Sequence, residues 1–393
     1  MATRVAHARA RPRHHVPAGV GAYLRHLDYL LFGAVGGAIA YGLSILSSVT
    51  RDDVPGDPDY YVTRQMTYVA AGALAMAVVI AINPDLWRRL RHVLFVAAVL
   101  GIAAVFFLGT TVRGSRRWIE LGYFQFQPSE LSKVLVVLFV AGLLADRAKR
   151  VQEARTVLAA LALVGIPMVL VFEQPDFGTA LVYAAALVAA LFFAGIRWLH
   201  LGVLLLVGIL AAMSLLWFLP SAGIQVLEPY QVDRLVGFVH PDADPAGSTY
   251  NVNQSITAVG SGGLDGRGVA GASQTNLNYL PEHATDFVFS SLAEQRGFLG
   301  AAILLLLYVL IVWRGVKIVA LAPSHFTAIV AGSIVFAFLF QVFVNVGMTI
   351  GIAPITGIPL PFVSAGGSSM ITTLAMVGLL QAIHVRGRLQ GRL

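Results

Sequence analysis

The sequence has no cysteine and very little charge. Only 12% of its 393 residues are Asp, Glu, Lys or Arg, whereas about 25% is usual in a soluble protein. The missing cysteine excludes disulfides and cysteine metal sites. Hydrophobic residues make up 57% of the chain, and the mean hydropathy is +0.77. This balance predicts an integral membrane protein.

The net charge of +7 does not indicate a nucleic-acid partner, because most of the basic residues flank apolar segments. Orientation in the membrane and lipid headgroups explain such residues better. Residues 1–26 form a basic tail, and the apolar run at about 30–49 is too long for the core of a signal peptide. We therefore expect a retained first span after a cytoplasmic tail.

Ten apolar segments are long enough to span a bilayer. They lie near 28–49, 66–83, 92–112, 130–146, 156–172, 177–195, 198–219, 297–313, 325–350 and 364–385. These segments predict an all-α polytopic membrane protein with one transmembrane domain over residues 27–388. That domain includes a long polar loop at 220–297, between spans seven and eight. Residues 389–393 form the C-terminal end.

Basic residues between the spans set the orientation, because loops rich in Lys and Arg remain in the cytoplasm. They occur in every second loop and at both ends of the chain. Examples are Arg88, Arg147, Arg197 and Arg314. We therefore expect both termini to be cytoplasmic. The acidic loop at 52–59 and the structured loop at 220–297 then face outside.

One outer loop departs from this rule. It carries Arg113, Arg116 and Arg117 next to Trp118, where the orientation requires no positive charge. A positive cluster held outside predicts an anionic partner at the membrane surface. Pairing with lipid headgroups or with Glu120 is the alternative.

The loop at 220–297 is too long for a simple connection, and loops of this size are usually functional or disordered. Apolar residues recur at helical spacing at 232–239 and 252–259, so we expect two short amphipathic helices. The segment 260–268 is rich in glycine. It lacks the Gly-Lys-Ser/Thr ending of a phosphate-binding loop, which favours ordinary turns.

The densest polar cluster of the long loop is 281–287. Thr285 suits the N-cap of a helix that runs into span eight, with Asp286 as the first helical residue. Asp286 is then either a carboxylate held ionised to accept a proton or only a complement to the helix dipole. Glu282 and His283 are candidates for a divalent metal site.

Two further polar motifs border apolar segments. Glu130 and Lys133 share one helix face, and Lys133 lies about one turn inside the membrane, where a charge requires a partner or a cavity. This predicts a polar notch inside the bundle, and a snorkelling lysine with a local ion pair is the alternative. The motif 173–179 places Asp176 in an outer turn beside the membrane.

The stretch 351–370 is apolar but interrupted by several prolines and by a Ser/Gly run that begins at Ser364. Non-helical backbone at membrane depth is tolerated only inside protein or along a cavity. We therefore expect this stretch to line a groove. Ser-His-Asp catalysis is not supported, because no serine lies in a nucleophile-elbow context.

As a set, these motifs resemble the shape, elongation, division and sporulation (SEDS) family of peptidoglycan polymerases, in matching order over about residues 27–388. The matching segments are RW at 117–118, QPSELSK at 127–133, QPDFGT at 174–179, YNVNQS at 250–255, GSGG at 260–263, LPEHATDF at 280–287 and PITGIPLPFVS at 354–364. The sequence departs from the family at Ala365, where Tyr is usual, and at Ala284, where His is frequent. Gln295 and Arg296 replace a typical Glu-Leu pair.

The resemblance implies a ten-span glycosyltransferase that polymerises lipid II at the outer face of the bacterial cytoplasmic membrane. The essential loop carboxylate of the family corresponds to Asp286, which we expect to be catalytic. The residues expected to contact substrate are Arg116, Arg117, Glu130, Lys133, Asp176, Glu282, His283 and Ser364. The resemblance also implies an undecaprenyl-linked glycan as the second substrate. A divalent cation, Mg²⁺ or Mn²⁺, is the expected cofactor, and no organic cofactor is expected.

The implied partners are a class B penicillin-binding protein and other proteins of the elongation complex. Within the family, the motifs at 250–255 and 355–361 are more similar to the elongation branch than to the division paralogue. A lipid II flippase and a scaffold that only recruits the penicillin-binding protein are the alternatives. Transporter sites lie near the midplane, whereas the polar residues of this chain concentrate at its outer surface.

Overall fold

The computed structural model describes residues 20–112, 115–122, 124–214, 218–221, 223, 238 and 249–390. These residues fold mainly into α-helices. In chain order the helices are α1 (Val20–Arg25), α2 (Tyr29–Val49), α3 (Tyr60–Ala81), α4 (Pro84–Leu108), α5 (Pro128–Asp146), α6 (Ala154–Phe172), α7 (Phe177–Ala194), α8 (Trp198–Met213), α9 (Leu219–Ser221), α10 (Tyr250–Ser261), α11 (Gly268–Gly271), α12 (Ser273–Asn276), α13 (Val288–Ala320), α14 (His325–Thr349) and α15 (Gly367–Leu389). A short 3₁₀ helix, Ala148–Arg150, follows α5.

Among the described residues, nine helices are long and apolar enough to cross a membrane by length and composition. They are α2 to α7 and α13 to α15, and they coincide with nine of the ten predicted spans. The segment predicted at 198–219 contains α8, an apolar helix of 16 residues. The helical membrane architecture is therefore confirmed.

Several predicted features fall on residues that are not described. They are the basic tail at 1–19, Arg113, the amphipathic segment at 232–239 apart from residue 238, and positions 215–217 after α8. The second amphipathic segment, predicted at 252–259, is confirmed because it lies within α10, where Val252 is buried.

Local capping explains where two of the long helices begin. The Asp28 carboxylate accepts the backbone N–H of Leu31 at 3.0 Å at the start of α2. The Asn83 side chain accepts the N–H of Asp85 at 3.1 Å, and Pro84 suits the first helical position. For this reason α4 begins well before the predicted boundary at residue 92.

The interior of the bundle is formed by α5, α7, α14 and α15, whose most apolar windows are between 67% and 83% buried. The corresponding windows of α3 and α4 are only 11% and 17% buried, so most of the surface of these two helices lies on the outside of the bundle. Small residues allow close helix contact. A Cβ on Gly378 of α15 would lie 2.8 Å from the carbonyl oxygen of Met76 in α3.

A small antiparallel sheet interrupts the helices between α4 and α5. Its strands are β1 (Thr110–Val112), β2 (Ser115–Leu121) and β3 (Phe124–Phe126), in the spatial order β1-β2-β3. The sequence pattern predicted only a loop here, because β1 and β3 have three residues each and the seven residues of β2 show no regular alternation of exposure. Side chains alternate along a strand, so neighbouring arginines on β2 project in opposite directions.

The helix α13 is broken at Gly297, whose φ of 62° and ψ of −164° are open almost only to glycine. Such a break frees backbone N–H groups from their helical partners. The Gly-rich segment supplies replacements: Gly263 accepts the N–H of Phe298 at 2.9 Å, and Leu264 accepts the N–H of Leu299 at 3.1 Å. The Gly-rich segment therefore fills the break in α13.

Two groups of polar residues tie the helices together at the end opposite the sheet. The guanidinium of Arg314 donates to the buried Asp28 carboxylate at 2.6 Å, and the Gln381 side chain exchanges two 2.9 Å hydrogen bonds with the Asp28 backbone. Arg88 pairs with Asp146 at 2.5 Å. These residues lie at the helix ends that the charge pattern predicts to be cytoplasmic.

Candidate active site

The predicted functional residues lie at one end of the bundle, here called the loop end. It contains the loop at 50–59, the sheet at 110–126, the turn at 173–176 and the loops at 277–287 and 350–366. Helix direction alternates along the chain, so these segments share one end. Arg88 and Arg314, which form ion pairs at the opposite end of the bundle, do not belong to the loop end.

Asp286 lies in the loop before α13, and its side chain is half-buried. The Asn345 side chain, from α14, donates to the backbone carbonyl of Asp286 at 3.0 Å and to that of Ile358 at 2.8 Å. Asn345 is completely buried. The backbone of Asp286 is thus held to the interior of the bundle by a rigid helix.

The predicted capping role of Thr285 is wrong. The helix α13 begins at Val288 and its N-cap position is Phe287. The Thr285 hydroxyl instead donates to the Glu282 carboxylate at 2.8 Å. The reason is a local turn that ends before the helix begins, closed by a 3.1 Å hydrogen bond from the N–H of Phe287 to the carbonyl of Glu282. Asp286 therefore belongs to this turn and lies outside the helix.

The predicted groove segment packs directly on this loop. The Ser364 hydroxyl donates to the Thr285 carbonyl at 2.6 Å and accepts the N–H of Leu360 at 2.8 Å. The N–H of Ala365 bonds to the carbonyl of Ala284 at 2.9 Å. The Ser364 hydroxyl thus contacts the backbone of the Asp286 loop, although the two motifs are about 80 residues apart in sequence.

Asp176 is buried at the start of α7 and receives several donors. It accepts the backbone N–H of Thr179 at 3.2 Å as the N-cap of α7. Its other carboxylate oxygen accepts the Gln127 side chain at 2.9 Å. Arg117 Nη1 lies 3.5 Å from Asp176 Oδ1. Donors to both oxygens therefore fix the orientation of the Asp176 carboxylate.

Glu130 and Lys133 form the predicted pair on one face of α5. Lys133 Nζ lies 2.8 Å from Glu130 Oε1, and the side chains are 4% and 3% exposed. Ser129, the residue before Glu130, contacts Asp176 through its hydroxyl at 3.4 Å. The predicted polar notch is confirmed, and it continues inward from the Asp176 cluster.

Two side chains that no sequence motif singled out connect these parts. Ser368, in the first turn of α15, accepts the N–H of Gln127 at 2.8 Å. Gln65, in α3, donates to the Ser364 carbonyl at 3.1 Å and accepts the N–H of Gly366 at 3.2 Å. The segment 364–368 therefore lies between the Asp286 loop and the Asp176 cluster. Neither polar residue stands out in an apolar helix sequence, so only the fold reveals them.

The two arginines of β2 have different surroundings. Arg116 is exposed, and its guanidinium donates to the carbonyls of Gly109 at 2.7 Å and Phe107 at 3.2 Å, at the end of α4. Arg117 faces the bundle, lies 5.1 Å from the centre of the Trp118 ring and has a buried Nε without a hydrogen-bond partner among the described residues. Only Arg117 approaches the Asp176 cluster.

The described side chains around Glu282 and His283 do not form the predicted metal site. The described part of the chain contains no group of three or more His, Asp and Glu side chains suited to a metal ion. His283 directs Nε2 at the Asp53 carboxylate, 3.1 Å away, and Nδ1 at the Leu280 carbonyl, 3.2 Å away. Both ring nitrogens therefore lie within hydrogen-bonding distance of protein oxygens.

An apolar cavity of about 530 Å³ lies among α10, α13 and α14. Its walls include Val259, Phe289, Leu305 and Val346. None of the predicted polar site residues lines it. The predicted polar site residues therefore lie at the loop end, outside this cavity.

The long helices of this bundle have the length needed to cross a membrane. One end of the bundle carries the Asp286 loop, the buried pair of Glu130 and Lys133, and the arginines of β2. The fold is therefore that of a polytopic membrane protein with a polar site at one end. The family model for FtsW, RodA and SpoVE, described as cell cycle protein, matches residues 27–389. The chain belongs to this family, as the motif resemblance predicted.

Similar proteins support this assignment. "Peptidoglycan glycosyltransferase MrdB" of Escherichia coli (strain K12) is 34% identical over 364 residues, which cover 93% of this chain and 95% of that protein. A chain in the solved structure "Structural coordination of polymerization and crosslinking by a peptidoglycan synthase complex" is 29% identical with a TM-score of 0.78, covering 92% of this chain and 98% of that one. The crystal structure of Thermus thermophilus rod shape determining protein RodA is 28% identical with a TM-score of 0.67, covering 91% and 96% of the two chains.

Proposed function

We propose that this protein is a peptidoglycan glycosyltransferase that polymerises lipid II into glycan strands during cell elongation. The observation that carries the proposal is the loop of Asp286, whose backbone carbonyls accept hydrogen bonds from the side chains of Asn345 and Ser364. A fixed carboxylate at the membrane surface suits a reaction between lipid-linked sugars. The relatives named for this activity support the same reaction class.

In the proposed reaction, the 4-hydroxyl of N-acetylglucosamine on the acceptor lipid II attacks the anomeric carbon of N-acetylmuramic acid on the lipid-linked strand. The hydroxyl proton passes to the Asp286 carboxylate, which acts as general base. The bond from the anomeric carbon to the pyrophosphate oxygen breaks, and its electron pair leaves with undecaprenyl pyrophosphate. A single displacement of this kind inverts the anomeric centre, as in inverting glycosidases.

Negative charge develops on the departing pyrophosphate, and Arg117 is the cation proposed to stabilise it. Its planar guanidinium matches phosphate oxygens, and its buried Nε has a free donor among the described residues. Asp176, 3.5 Å away, orients the guanidinium. Preorganised donors of this kind require no rearrangement when charge appears.

The expected divalent cation would depend on the substrate, because the described side chains provide no cage for it. Mg²⁺ is often held by one or two carboxylates together with substrate phosphates. Titration of the purified protein with Mn²⁺, followed by electron paramagnetic resonance, tests this proposal. We expect tight binding only when lipid II is present, and tight binding to the protein alone would contradict it.

Purified protein in vesicles, incubated with labelled lipid II, provides the test of the proposed function. We expect long glycan strands on a gel from the wild-type protein and none from Asp286→Asn, since general-base catalysis contributes about 10²–10⁴-fold. Asp265→Asn is the matched control, because Asp265 is an exposed carboxylate of the same long loop. Strand synthesis by Asp286→Asn at the wild-type rate would refute the proposal.

Transport of lipid II is the second candidate, because the buried pair of Glu130 and Lys133 is also a feature of transporters. Fluorescent lipid II in the same vesicles distinguishes the two functions. Movement of the lipid between leaflets without any glycan product would favour the transporter. Product that depends on Asp286 favours the enzyme.

We propose that a class B penicillin-binding protein and other elongation-complex proteins are the partners, and that the protein acts in the bacterial cytoplasmic membrane with the loop end outside. The synthase complex that contains a similar chain supports a crosslinking partner. Co-purification from the native membrane tests this. Recovery of a division-specific partner instead would move the protein to the division branch of the family.

A further inference from the structure

The loop that carries Asp286 contacts the first loop of the chain, residues 50–59, through one pair of side chains. His283 Nε2 lies 3.1 Å from each oxygen of the Asp53 carboxylate. The two side chains are 11% and 17% exposed, so the pair is largely shielded from water. The reaction proposed above uses neither residue.

Each ring nitrogen of His283 lies against an oxygen atom of the protein. The Leu280 carbonyl is 3.2 Å from Nδ1, and both Asp53 carboxylate oxygens are 3.1 Å from Nε2. The imidazole is therefore held between its own loop and the first loop of the chain, and Asp53 supplies the contact from the first loop.

With this pair, the Asp286 loop is held by side chains on two sides. On one side, the loop is held by Ser364 and Asn345 through its backbone carbonyls. On the other side, His283 and Asp53 fix it three residues before Asp286. Next to His283, Glu282 has a φ of 55°, in the left-handed region that a residue with a side chain adopts only when its surroundings hold it there.

We propose that Asp53 is a positioning residue that, through His283, holds the Asp286 loop in its reactive geometry. This inference rests on the proposed function, since it gives Asp286 the role of base. Asp53 is more than 200 positions from Asp286 in sequence and touches no reacting atom. Its effect is to place the Asp286 carboxylate, and an error of about 1 Å in such a group costs on the order of 10²-fold in rate.

The test uses purified full-length protein in vesicles with labelled lipid II. Asp53→Asn keeps the shape of the side chain and removes its charge. We expect its turnover number to fall by about 10- to 100-fold, with the KM for lipid II and the thermal unfolding temperature close to wild type. Asp57→Asn, at an exposed position of the same loop, is the matched control and keeps full activity.

A double-mutant cycle with His283→Gln separates positioning from general loop stability. If the two side chains act as one unit, the double variant loses no more activity than either single variant. Wild-type turnover by Asp53→Asn, or losses that multiply in the double variant, would overturn the inference. A fall in activity that only follows a fall in unfolding temperature would also overturn it.

Asp286→Asn in the same assay keeps the inference distinct from the proposed function. An inactive Asp286→Asn beside a fully active Asp53→Asn rejects only the positioning role. An active Asp286→Asn rejects the proposed function itself.

Discussion

Arg116 and Arg117 are neighbours on β2, but their side chains point in opposite directions, so we expect different effects on activity when each is replaced. Arg117→Gln should lower glycan synthesis by about 10²-fold or more, the usual effect of removing one donor to a developing anion. Arg116→Gln should change the rate little, because Arg116 donates to carbonyls at the end of α4. Initial rates with labelled lipid II measure both. Equal losses from the two variants would contradict the assignment.

The buried pair in α5 allows a second prediction at the scale of residues. Lys133→Met leaves the Glu130 carboxylate buried without its cation, and such a change typically costs about 3–5 kcal/mol of stability. The double variant Glu130→Gln, Lys133→Met should recover much of that loss, because no buried charge remains. Thermal unfolding in detergent measures the difference.

The activity of that double variant separates structure from chemistry. The pair continues the Asp176 cluster inward, so we expect the recovered protein to stay poorly active. Full activity in the double variant would show that the pair only supports the fold.

At the scale of elements, the break in α13 makes a prediction about Gly297. Its backbone angles cost a residue with a side chain on the order of 1–3 kcal/mol. In addition, a Cβ would lie 2.3 Å from the backbone nitrogen of Gly266. Gly297→Ala should therefore lower the unfolding temperature markedly and loosen the Gly-rich segment.

Gly260→Ala is the matched control for this prediction. Gly260 lies in α10, and a Cβ there meets nothing within 4 Å. Alanine is the better helix former by about 1 kcal/mol, so this variant should be neutral or slightly more stable. Similar losses from both variants would argue against the break as the cause.

These elements also show what the sequence predicts well. Nine spans follow from hydrophobic length, because lipid requires about 20 apolar residues of every crossing helix. The helical spacing of Glu130 and Lys133 is sufficient to place them on one face. In each case the information is local, within one element of the chain.

Contacts between distant elements could not be predicted in this way. The charge of Asp53 only indicated an acidic outer loop, and its partner His283 lies 230 positions away. The Gly-rich segment suggested turns, which residues 262–265 form, but its hydrogen bonds to the N–H groups of Phe298 and Leu299 beside Gly297 could not be predicted. The cap assigned to Thr285 is wrong for a local reason, because a turn closed by Glu282 ends before the helix begins.

At the scale of the whole molecule, the fold places the candidate site residues at one end of the bundle and a separate group of polar contacts at the other. The loop end carries Asp286, Arg117 and the ion pair of α5, whereas the opposite end carries Asp28, bonded to Arg314. The positive-inside rule assigns that opposite end to the cytoplasm. Lipid-linked sugars would then meet the Asp286 loop outside the cell, so the orientation of the bundle decides whether the proposed chemistry is possible.

The absence of cysteine makes this orientation directly measurable, since any introduced thiol is the only one in the chain. We expect Asp57→Cys, in the exposed loop at 50–59, to react with a membrane-impermeant maleimide in intact cells. Lys149→Cys, exposed after α5, should react only after the membrane is opened. Because both positions are exposed, a difference in labelling reports the side of the membrane. The reverse pattern would place the Asp286 loop in the cytoplasm and reject polymerisation at the outer face.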